Sequence, residues 1–115
     1  MPAPELPSEV SVEEVNGLLD AAQETRPRLV DCREEDEWRI CRIEGAELVP
    51  LSQFGELAAA RFTDPDQHVI IYCHHGMRSL RAANWLRQQG FSKAQSMRGG
   101  IELWADRIDP GMARY

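Results

Sequence analysis

Val69-Ile70-Ile71-Tyr72-Cys73-His74-His75-Gly76-Met77-Arg78-Ser79 is a largely β-branched apolar run that stops on a cysteine and feeds, through a short turn, a helical stretch. With no polar alternation, the run reads as a strand buried on both faces, and such strands belong to parallel sheets covered by helices. Cys73 then sits at the carboxyl end of a strand, the edge where ligands bind in open α/β sheets. There it faces the unpaired N–H groups and partial positive charge of the next helix's amino terminus. A helix amino terminus and a nearby cation lower a thiol pKa from about 8.5 into the range of about 3.5–7.5, and the thiolate is the reactive form. A cysteine ending an apolar strand is ordinarily a packing residue. The turn argues for chemistry instead: Gly76 permits the positive φ that a cradle of inward-pointing N–H groups requires, and Arg78 opens the helix with a permanent cation.

On the carboxyl side, Ser79, Ala82, Ala83 and Leu86 recur at helical spacing and are mostly small, so the helix can approach the sheet closely, with Trp85 flanking the stripe. Gly90 ends this helix at its C′ position. Ala94-Gln95-Ser96-Met97 makes a fifth strand, and Gly99-Gly100 turns into a last helix over Ile101 to Ile108. On the amino side, three prolines make residues 1–7 a mobile lead-in, so that 8–115 form the single domain. Glu9-Val10-Ser11 is a short extended entry. Ser11 and Glu14 then form a capping box for a helix through about Ala22, with Val12, Val15, Leu18 and Leu19 on its apolar face.

Leu29-Val30 leads into Asp31-Cys32-Arg33, a second buried strand ending in opposite charges. Taken alone, Asp31 and Arg33 read as a solvated strand terminus, and Cys32 between them as a packing residue on the opposite side of the strand. Glu34 to Ile40 has the charge order of a short helix. Glu47-Leu48-Val49 is a third strand stopped by Pro50, Ser52 caps a helix through about Arg61, and Asp64-Pro65-Asp66 is a turn. Strands alternating with helices give a right-handed parallel α/β sheet.

The 115 residues suffice for one core without disulfides or metal. Apolar content of 43% with 28% charged residues is that of an ordinary globular chain, and the net charge of −6 argues against nucleic-acid binding. Neither a membrane span nor a signal peptide is evident, so the expected location is cytoplasmic; three cysteines without framework spacing agree with a reducing compartment.

Cys73-x-x-Gly76-x-Arg78-Ser79, Leu29-Val30-Asp31-Cys32-Arg33-Glu34, Ile43-Glu44-Gly45-Ala46 and Gly99-Gly100-Ile101-Glu102-Leu103-Trp104 together resemble, in order and spacing, the rhodanese family in its single-domain form. The resemblance implies a five-stranded parallel sheet with helices on both faces. It also implies a sulfurtransferase that carries sulfane sulfur as a Cys73 persulfide from thiosulfate or a persulfide donor to a thiophilic acceptor. Asp31 and Arg33 would flank the pocket as support. Cys41-Arg42-Ile43 departs from the Gly-His-Ile common in the family, and the tail from Asp109 resembles rhodanese domains attached to adenylyltransferases.

For the reaction, a ring of backbone N–H groups from His74 to Arg78 is expected to hold the thiolate and then the persulfide. Arg78, with Arg81 one turn on and Arg33 as a further candidate, would hold an anionic donor. One or both of His74 and His75 line the pocket mouth, the alternative being that either is merely exposed; zinc would need four convergent ligands, and adjacent side chains in a turn point apart, which disfavours a Cys–His dyad. No cofactor is expected. Two alternatives stand beside this reading. One is a persulfide carrier dependent on a sulfur-relay protein. The other is a cysteine phosphatase or arsenate reductase, whose Cys-x5-Arg loop is one residue longer than the Cys-x4-Arg present here.

Overall fold

The run Val69–Tyr72 is the central strand, β4, of a parallel sheet completed by β1 (Glu9–Val10), β2 (Arg28–Asp31), β3 (Glu47–Leu48) and β5 (Ala94–Met97), in the order β1-β5-β4-β2-β3. The computed structural model describes residues 6–20 and 26–115; the expected helix end near Ala22 and the first five residues of the lead-in lie outside these. All four β4 residues are buried, as a strand covered on both faces requires. Their pleat divides the core in two. Val69, Ile71 and Cys73 join Val30 and Cys32 beneath α3 (Phe54–Arg61) and α4 (Met77–Gln88), whereas Ile70 and Tyr72 join Leu29 and Met97 beneath α1 (Val12–Leu19) and α5 (Gly100–Arg107). A short helix, α2 (Glu35–Ile40), buries no residue and lies beyond the carboxyl end of β2. Among the described residues no helix is long and apolar enough to cross a membrane.

Local chemistry explains the start of α1. Ser11 Oγ accepts the Glu14 N–H at 3.1 Å and opens α1. The small stripe Ser79, Ala82 and Ala83, with Leu86, is the buried face of α4, as its spacing predicts. Ser52 does not cap a helix: it lies in a 3-10 turn, Leu51–Gln53, and its hydroxyl donates to Glu34 Oε1 at 2.7 Å, so α3 begins at Phe54 with no side-chain cap. Leu6 and Pro7, read as mobile, are held by their carbonyls. Arg87 donates to both, and Gln95 Nε2 donates to Pro7 at 2.9 Å.

Two features of the backbone position the functional edge. The Cys32 N–H donates to the Tyr72 carbonyl at 3.0 Å, repeating the Arg28 N–H to His68 carbonyl bond that accompanies the Arg28–Val69 pair. Cys32 is therefore opposite Cys73, on the same face of the sheet. Beneath the loop after β4, the Ile101 and Glu102 N–H groups at the start of α5 donate to the Cys73 and His74 carbonyls at 2.9 and 3.1 Å. This docking needs Gly100: its φ is +63°, and a Cβ there would fall 2.3 Å from the His74 carbonyl oxygen. Gly99-Gly100, read from sequence as a turn, is thus also a seat for the loop.

Replacing Gly100 by Ala is expected to destabilise the fold by about 2 kcal/mol or more, through strain and displacement of the loop. Gly17→Ala, in α1 with nothing within 4 Å of the added Cβ, should instead stabilise by about 0.5–1 kcal/mol. Urea midpoints measure both, and a Gly100→Ala protein as stable as wild type would refute the steric seat.

Candidate active site

Cys73 follows β4 directly and is only 1% exposed. Gly76, the N-cap of α4 at φ +107°, turns the chain so that its own N–H donates to Cys73 Sγ at 3.0 Å, and the Ser79 N–H donates at 3.4 Å. The Ser79 hydroxyl lies 3.5 Å from the sulfur and is itself tied to Ser96 Oγ at 2.7 Å and to the Gly76 carbonyl at 3.2 Å. The expected ring from His74 to Arg78 is therefore narrower and shifted: the Gly76 and Ser79 amides meet the sulfur. Ser96, on β5, had no signal in the sequence beyond its place in a strand.

These donors, with Cys32, set the charge state. The Cys73 pKa falls to about 4. Hydrogen bonding from the Cys32 thiol contributes most; burial opposes it, and the Ser79 hydroxyl and the Ser79 and Gly76 amides add to the lowering. The Cys32 thiol is pushed up in turn, first by its hydrogen bond to Cys73 and then by burial. The amides converge on Cys73, so the negative charge resides there and Cys32 is the neutral donor. Cys32 packs in the core, as read from the sequence, and the β2–β4 register also sets it beside Cys73, a point the sequence alone could not reveal.

Arg78 does not point at an anion site. Its guanidinium forks onto Glu37 of α2, Nη1 to Oε1 at 2.7 Å and Nη2 to Oε2 at 2.9 Å, bracing the first turn of α4. Tyr115 Oη donates to the same carboxylate at 2.8 Å and accepts from Arg33 Nη1 at 3.0 Å. Arg78 is the main cause that holds the Glu37 carboxyl down at about 2; burial opposes it and Tyr115 assists. Arg33 and Asp31 are both fully buried and joined at 2.7 Å, with Arg33 Nη2 also donating to the Cys41 carbonyl at 2.6 Å. The solvated-terminus reading is overturned, and Arg33 is not available to a donor in the pocket. Neither Glu37 nor Tyr115 could be found from local sequence, since each acts across a distance of many residues.

The remaining candidates face outward. His74 and His75 stack at 4.0 Å between ring centroids rather than pointing apart, and Tyr115 stacks on His74 at 4.1 Å, with His74 Nε2 3.3 Å from Glu102 Oε2. Met77 is 70% exposed. Arg81 is exposed on a groove of about 370 Å³ that it shares with Leu51, Phe54, Ala82 and Trp85. No group of three His, Cys, Asp or Glu among the described residues is arranged to hold a metal ion.

A family model for the rhodanese-like domain matches residues 11–107. The chain belongs to the rhodanese family. Within that family it is 37% identical over 84 residues to the thiosulfate sulfurtransferase GlpE of Pseudomonas fluorescens, covering 73% of this chain and 75% of that one. It is 32% identical over 108 residues to the probable adenylyltransferase/sulfurtransferase MoeZ of Mycobacterium tuberculosis, and 32% over 110 residues to the chloroplastic rhodanese-like/PpiC domain-containing protein 12 of Arabidopsis thaliana. Those matches cover 94% and 93% of this chain but only 27% and 37% of the longer relatives. Among solved rhodanese structures, the human single-domain sulfurtransferase TSTD1 superimposes with a TM-score of 0.74 at 26% identity, over 88% of this chain and 97% of that one. The rhodanese-like domain of the Anabaena Alr3790 protein gives 0.77 at 18% identity, over 94% and 78% of the two chains, a likeness of fold.

The pH dependence of Cys73 alkylation by iodoacetamide should inflect near about 4 and be flat at neutral pH, with Cys32 labelled far more slowly. Cys32→Ala should raise the inflection by about one unit or more. A wild-type rate still climbing at neutral pH would contradict the thiolate assignment.

Glu37→Gln should destabilise the protein by about 1–3 kcal/mol at neutral pH. Because the folded pKa lies below the ordinary value of 4.5, this stabilisation is complete above the unfolded pKa and is lost as pH falls through about 2. The gap between wild type and variant should close in acid. Denaturation midpoints across the acid range check this, and a constant gap would show that the carboxylate charge is not its source.

Proposed function

We propose that this chain is a sulfurtransferase that carries sulfane sulfur on Cys73. The observation that carries this reading is a buried sulfur with a thiolate's pKa, met by the convergent Gly76 and Ser79 amides and the Ser79 hydroxyl. In the first half-reaction the Cys73 thiolate attacks the outer sulfur of a donor such as thiosulfate. The new bond joins the two sulfurs, the donor S–S bond breaks and sulfite leaves with the electron pair, so the product is a persulfide anion. In the second, cyanide or a thiolate takes the outer sulfur and Cys73 departs as thiolate. The Gly76 and Ser79 amides, aimed at Cys73 Sγ, stabilise the thiolate that attacks in the first half-reaction and departs in the second. Neither half-reaction, so written, uses a metal or an organic cofactor, and the partners are a small sulfur donor and a thiophilic acceptor.

A relay reading has its own support. The match spans only 37% and 27% of the longer relatives' lengths, and MoeZ bears the name of a joint adenylyltransferase and sulfurtransferase. A protein-bound persulfide would then serve as donor in place of thiosulfate.

Intact-mass measurement after thiosulfate, then after cyanide, tests the proposal. Wild type should gain one sulfur atom on Cys73 and lose it as thiocyanate, whereas Cys73→Ser should gain none. Turnover by Cys73→Ser at the wild-type rate would end this reading, and loading only from a protein persulfide would favour the relay.

A further inference from the structure

Cys32 is a thiol at this edge that the two half-reactions leave unused. It stands opposite Cys73 on the neighbouring parallel strand, as the Cys32 N–H to Tyr72 carbonyl bond at 3.0 Å requires, and both side chains enter the same core cluster. Paired residues on adjacent strands lie about 4.8 Å apart, within the roughly 4.4–6.8 Å between Cα atoms that a disulfide spans. Cys41, the third thiol, belongs to the opposite core and its sulfur accepts from Arg33 Nη1 at 3.8 Å, so it does not compete. Cys32 is also fully buried, with no solvent access to consume it before it meets Cys73.

We propose that Cys32 is a resolving thiol that discharges the Cys73 persulfide internally, closing a Cys32–Cys73 disulfide and releasing the carried sulfur as hydrosulfide. The proposal rests on the persulfide reading above and adds a second fate for it. Cys32 Sγ attacks Cys73 Sγ; the bond between Cys73 Sγ and the outer sulfur breaks, and the outer sulfur leaves with that electron pair. The Cys32 proton goes to the leaving sulfur. One sulfane sulfur gains two electrons and the two cysteine sulfurs together lose two, so the step balances without an outside oxidant. An external dithiol then returns the disulfide to the starting pair.

The same geometry explains why this exit waits for loading. With Cys73 free, its negative charge and the surrounding burial push the Cys32 thiol up and keep it protonated. Once Cys73 Sγ carries a second sulfur, the charge moves to the outer atom. Cys73 Sγ then becomes an electrophile beside the only thiol within reach of it in that core cluster. A small acceptor that arrives promptly takes the outer sulfur; otherwise Cys32 does the work and hydrosulfide leaves.

The experiment loads wild type, Cys32→Ala and Cys32→Ser with thiosulfate, and separately with one equivalent of methyl methanethiosulfonate, in the absence of reductant. Intact mass, hydrosulfide release and peptide mapping are followed in time, and urea midpoints show whether each variant is folded. Wild type should pass from the loaded mass to a species two hydrogens lighter than the starting chain, with Cys32 linked to Cys73 and one hydrosulfide released per chain. Both Cys32 variants should keep the added sulfur at least about tenfold longer. Persistence of the loaded mass in wild type, or linkage of Cys73 to Cys41, overturns the proposal even if neither variant folds, because wild type alone decides it. A chain that takes no sulfur from any donor overturns the sulfurtransferase reading and the hydrosulfide step with it. The methylthio arm separates the two failures: displacement of methanethiol by Cys32 in wild type establishes the resolving thiol by itself, and a stable methylthio adduct removes it.

Discussion

A sulfur anion that is almost wholly buried must be surrounded by donors, and this constraint organises the carboxyl edge of the sheet. Burial alone would raise the Cys73 pKa; the Cys32 thiol and the Gly76 and Ser79 donors outweigh it. Each of those donors comes from a different level of structure. The Cys32 thiol is delivered by the β2–β4 register, the Gly76 amide by a positive-φ turn, and the Ser79 amide by the first turn of α4. Gly100 then allows α5 to clasp the carbonyls of Cys73 and His74 from below. Packing and electrostatics are here the same arrangement, since a shift of the loop that opened the packing would also withdraw the amides from the sulfur.

The cations around the loop are largely committed to carboxylates. Arg78 is forked onto Glu37, Arg33 onto Asp31, and Tyr115 bridges the two pairs. In a chain of net charge −6, two of the three arginines read from sequence as anion holders thus act within the protein, binding α2, the β2 end and the C-terminal tyrosine to the loop. Breaking one member of such a network leaves a buried or half-buried partner uncompensated, which is why these pairs matter more than exposed ones. Arg81 is the exception, exposed on the apolar groove beside α4.

Features with a local period were legible before any coordinates. The uninterrupted apolar run gave β4; the small residues at helical spacing gave the buried face of α4; and Gly76 before Arg78 gave the turn with positive φ. What the sequence left hidden depends on strand order and on contacts between distant segments. Cys32 reads as packing until the register sets it beside Cys73, and Asp31 and Arg33 read as solvated until α2 and the tail cover them. Arg78 reads as a ligand for substrate because Glu37, 41 residues away in the chain, cannot be placed next to it from spacing alone. Ser52 failed for a related reason: an N-cap residue offers its hydroxyl to its own helix, but here Glu34 is a charged and therefore stronger acceptor for it.

The loop's dimensions bear on the choice between sulfur and phosphoryl chemistry. Four residues separate Cys73 from Arg78, and with that length the Gly76 and Ser79 amides converge on one atom, the cysteine sulfur itself. A phosphoryl group presents three oxygens spread around the phosphorus, so a loop that serves it must direct its amides outward to a ring of acceptors and add a guanidinium to grip them. Here the guanidinium that follows the loop is turned away to Glu37. The donors and the cation therefore agree with each other: both favour a charge localised on the single sulfur of Cys73.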